Sequence, residues 1–127
     1  MNTPQSVGLL AVLREVADVL AGLDLAALPE IHAIDASPDI HGGLRGKAQL
    51  SHLGNDIEAI DAIRTWADAL GAVVLLGDEM THSTPPYRQL AAVLRLPSGA
   101  LFEVWRHLHD LHPSPEWAPT DPELIAA

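Results

Sequence analysis

A chain of 127 residues, 48% apolar and 19% charged, suits one globular domain able to bury its own core and excludes an intrinsically disordered protein. Its 7 basic and 17 acidic groups give a formal net charge of −10, which repels phosphate backbones and anionic lipids and argues against direct nucleic-acid or membrane binding. With no cysteine, disulfides, thiolate catalysis and zinc–thiolate sites are excluded.

The N-terminal stretch MNTPQSVGLLAVLREV lacks a basic segment of the signal-peptide kind, and Arg14, Glu15 and Asp18 interrupt its apolar residues. A soluble, cytoplasmic protein is expected. Thr3-Pro4 reads as an N-cap followed by proline at the first helical position, opening an amphipathic helix over about residues 4–22. Leu9, Leu13, Val16, Leu20 and Leu23 form its stripe, widened by Val12 and Val19 into a face expected to be well buried.

Residues 30–35, EIHAID, are a short strand candidate, and SPDIHGG reads as a loop. KAQLSHL, 47–53, alternates, with Lys47, Gln49 and Ser51 toward water and Ala48, Leu50 and His52 inward. The two strands predict a hairpin with a long loop. Asn55 is an N-cap with Glu58 three residues on, so a helix is predicted over 55–70, with Ile57, Ile60, Ile63, Trp66 and Leu70 on its apolar face. Arg64 and Asp68 pair on its outer face, and Gly71 stops it.

AVVLLGD, 72–78, is apolar at every early position and predicts a central strand buried on both faces. YRQLAAVLRLP, 87–97, and ALFEVWRHL, 100–108, flank Ser98-Gly99 as an antiparallel hairpin. Leu90, Ala92, Leu94 and Leu96 of its first strand match Phe102, Val104 and Leu108 of its second. From Asp110 the chain carries four prolines and four acidic residues, an extended tail pinned by Trp117. The expected organisation is one domain over 1–109 and a tail over 110–127. Its fold class is α+β, two-layer, order αββαβββ, with helices on a mostly antiparallel sheet.

Candidate chemistry is sparse. His107, His109 and His112 fall within six residues. His107 and His109 would share a strand face and, with His112 or Asp110 as the third ligand, are weak metal-ligand candidates, since nothing in the sequence fixes the distance of that third ligand and a zinc site needs it. Asp78, Glu79 and His82 follow a strand, where acid–base groups often sit, but match no known motif. HGGLRGK, 41–47, has three glycines and two cations; the helix that a phosphate cradle requires does not follow it. The serines lack a nucleophile-elbow setting, and no cofactor is expected.

The last hairpin raises a sharper question, because its second face is not polar. Val93, Leu101 and Trp105 sit there among Arg95, Glu103 and His107, a composition common at interfaces. Such a face needs a cover, either the tail or a second copy of the chain.

IRTWADALG, then AVVLL, then a strand pair ending FEVWRHL, over roughly residues 57–108, resembles a pattern in small uncharacterised actinobacterial proteins. The resemblance implies a bacterial α+β protein of mobile-element or phage type, and carries over no catalytic residue. The expected function is a non-enzymatic interaction module that homodimerises through Val93, Leu101 and Trp105 and acts on another, unidentified protein. The alternatives are an acidic mimic of DNA that inhibits a nuclease or regulator, and a small metal-dependent hydrolase using His107 and His109.

Overall fold

The computed structural model describes residues 5–38, 43–51, 55–80, 82 and 84–109, with only the backbone of Asp78 and Glu79. The elements are α1 (Gln5–Ala21), β1 (Ile31–Pro38), β2 (Leu44–Leu50), α2 (Asp56–Leu70), β3 (Val73–Met80), β4 (Tyr87–Arg95) and β5 (Leu101–Leu108), with one 3₁₀ turn at Leu25–Ala27. Their order is the expected αββαβββ, and the fold is α+β. The strands form one five-stranded sheet in the order β1-β2-β5-β4-β3. All neighbours are antiparallel except β2 and β5, which run parallel with Arg45 beside Leu101 and Gln49 beside Trp105.

Alternation along the strands sets the layers. Phe102, Val104 and Leu108 of β5 are buried together with Leu90 and Ala92 of β4 and Ala48 and Leu50 of β2. Val12, Val16 and Leu20 of α1 and Ala59, Ile63 and Trp66 of α2 join the same cluster, so both helices cover this one face. Trp66 donates its Nε1–H to the Pro29 carbonyl at 2.9 Å, tying α2 to the segment entering β1.

Cap chemistry fixes α2 as the sequence predicts. The Glu58 N–H donates to Asn55 Oδ1 at 2.9 Å, and Gly71 ends the helix in the left-handed region at φ 66°. Gly99, at φ 96°, turns β4 into β5 while the Leu96 N–H donates to the Ala100 carbonyl at 2.7 Å.

Several expectations need correction. β3 is an edge strand and only half-buried, not central. Its unbroken apolar run arises because both faces of the sheet are apolar there: Val74 and Leu76 side with the core, and Val73 and Leu75 with the opposite face. β2 begins at Leu44, inside the segment read as a loop. Gly46 is needed there for close packing, because a Cβ on it would lie 2.7 Å from Val16 Cγ2. That close approach turns α1 onto Val12, Val16 and Leu20, leaving Leu13 exposed along with Val7 and Leu10. The wide stripe is therefore not wholly buried. In α2, Ile57 is 70% exposed and lies off the apolar face, which Ala59 and Ala67 help to form.

Thr3-Pro4, His52 and the whole of 110–127, including Trp117, lie outside the described residues. Among the described residues no helix is long and apolar enough to cross a membrane.

Candidate functional site: the open face of the sheet

With the even positions of β5 turned toward the helices, Leu101, Glu103, Trp105 and His107 point the other way. Their cross-strand neighbours are Arg45, Lys47 and Gln49 on β2, and Gln89, Ala91, Val93 and Arg95 on β4. No described element packs over this face. Glu103 sits at its centre and is only 2% exposed. Its Oε2 accepts from Arg45 Nη1 at 2.8 Å, and its Oε1 accepts from Gln89 Nε2 at 3.0 Å with Lys47 Nζ at 3.7 Å. A buried carboxylate persists only when paired and hydrogen-bonded, and here donors from both flanking strands meet that need. Because both oxygens are engaged, the arrangement offers shape and balanced charge rather than a free proton-transfer group.

Beside Glu103 lies a shallow hollow of about 310 Å³, bounded by Leu75, Gly77, Ala91, Val93 and Leu101. At one end the Tyr87 ring stacks on His107 with centroids 3.8 Å apart, and Trp105 lies 4.9 Å from the same imidazole. At the other end Arg95 Nη1 donates to the Gly99 carbonyl at 2.8 Å, steadying the hairpin turn.

Val93, Leu101 and Trp105 thus share one face. Val93 is only 3% exposed and lines the hollow together with half-buried Leu101, while Trp105, also half-buried, lies beside His107. His107 belongs to the aromatic stack, and His109 lies just past the end of β5, its backbone N–H donating to the Asp56 carboxylate at 3.1 Å. His112 lies outside the described residues, and among those described no group of three or more His, Asp or Glu is placed to hold a metal. β3 runs on through Asp78 and Glu79 to Met80, so these are strand residues rather than a loop; His82 is exposed.

Sequence reasoning missed two charged residues. Glu103 reads as an ordinary polar position, although Arg45 and Lys47, two apart on one strand, signal a cationic rim. Arg106 falls between Val104 and Leu108 in the alternation and therefore turns into the helix-covered side, where it is 6% exposed. The parity of β5 alone marks it. Compared with family models, curated proteins and solved structures, the chain gives no match.

Proposed function

We propose that this domain is a protein-interaction module whose first partner is a second copy of itself, docked through the open face of the sheet. The supporting observation is the charge of that face. Among the described residues, Arg45, Lys47 and Arg95 stand there against Asp35 and Glu103, in a chain whose net charge is −10. Two copies of so acidic a chain repel over most of their surfaces, and approach is least opposed where cations balance or exceed carboxylates. Half-buried Leu101 and Trp105 then supply apolar contact area, and Trp is among the residue types enriched where such contacts carry the binding energy. Val93 lines the hollow together with Leu101. Action on a further protein is part of the same reading; the bacterial or mobile-element setting rests on the sequence resemblance.

Native mass spectrometry and sedimentation of the full chain test it. The wild type should be a dimer at micromolar concentration, and Trp105→Ala should weaken association roughly tenfold or more while leaving the circular dichroism spectrum unchanged. A monomeric wild type, or an unchanged dimer in the variant, overturns the proposal.

A further inference from the structure

Arg106 is the anomaly of the helix-covered side. The residue is 6% exposed, and its Nε is buried with no hydrogen-bond partner. Among the described residues none forms a hydrogen bond or ion pair with its guanidinium. Buried guanidinium groups are held by acceptors, because desolvating a cation without them is costly. The group lines a cavity of about 260 Å³ between β2, β5 and the first turns of α2, with Glu30, Ser51 and Glu58 at its walls. The mouth is fixed by the Ser51 N–H, which donates to the Glu30 carbonyl at 3.1 Å, and by the Trp66 bond to Pro29.

We propose that this cavity binds a small molecule carrying a carboxylate beside an amine, of the α-amino-acid type. The carboxylate meets Arg106, whose planar fork suits it. The ammonium faces Glu30 and Glu58, both exposed at the rim. The charges favour this ligand over a bare anion. One buried cation and two rim carboxylates would repel a phosphate or simple carboxylate, whereas a zwitterion places each charge against its opposite. The volume is below the roughly 300–1,000 Å³ of pockets for drug-sized ligands, so the ligand is small.

The test is calorimetry and thermal unfolding of the full chain with L-alanine at millimolar concentration, and with acetate and methylamine as half-ligands. L-alanine should bind at one site and raise Tm, and each half-ligand should act more weakly. Without ligand, Arg106→Met should melt at or above the wild type, since it removes an unpartnered buried charge, and its affinity for L-alanine should fall roughly tenfold or more. Arg106→Lys keeps a cation without the fork and should weaken binding even if the Met variant does not fold. The proposal fails if L-alanine gives neither heat nor a Tm shift, if acetate matches it, or if both Arg106 variants bind it as the wild type does. It fails equally if Arg106→Met lowers Tm with no ligand effect in the wild type, because Glu58 or Glu30 then closes on the guanidinium itself.

Discussion

The two faces of this sheet come from the same strands and solve opposite problems. On the helix side, Phe102, Val104 and Leu108 of β5 are fully buried, and Arg106 sits among them between Val104 and Leu108. On the open side, positions one residue away place Glu103 among Arg45, Gln89 and Lys47, with apolar groups around it. The first face is held by close packing, down to a glycine where Val16 needs room. The second is held by direction: donors from β2 and β4 converge on one carboxylate of β5 and so pin the register of three strands. Area dominates the energy of the first, and geometry that of the second.

The contrast is sharpest at Phe102, where truncation to alanine should cost about 3–5 kcal/mol, read as a lower urea midpoint with little change in the slope of unfolding. On the open face, Glu103→Ala should cost about 1–3 kcal/mol by stranding the donors around it. Glu103→Leu should recover much of that loss if the network serves register more than energy, and a Leu variant as unstable as the Ala variant would show that the ion pairs themselves carry the stability. Ile57→Ala marks the lower end, with an expected change within about 0.5 kcal/mol in the same urea titration. A loss near 2 kcal/mol there would mean that Ile57 is buried in solution by something that covers α2.

Much of the fold was legible in the sequence because each element carries its own signal. The Asn55 cap, the Gly71 stop and the Ser98-Gly99 turn are local chemistry, and they locate the second helix and last hairpin almost to the residue. Strand order is not local. AVVLL reads as a central strand only if a two-sided apolar run must be covered on both faces, and here β3 lies at an edge beside an open face that is itself apolar. Ile57 fits the helical period yet points outward, because period fixes spacing and neighbours fix which side is buried. Of the candidate site, Val93, Leu101 and Trp105 were readable from alternation. The burial of Glu103 was not, since it depends on β2 arriving beside β5 from the other half of the chain.

That parallel pairing has a consequence for how the protein is made. Arg45 and Glu103 are 58 positions apart, and β2 gains its second neighbour only when β5 arrives. During synthesis, α1 and the first hairpin emerge without Phe102 to pack on, and β2 keeps an open edge, the kind of surface that invites mispairing between nascent chains. Contacts of such long sequence separation also slow the final closure. β5 is thus the keystone. A stop codon just before it should release a chain with most of the elements and none of the fold.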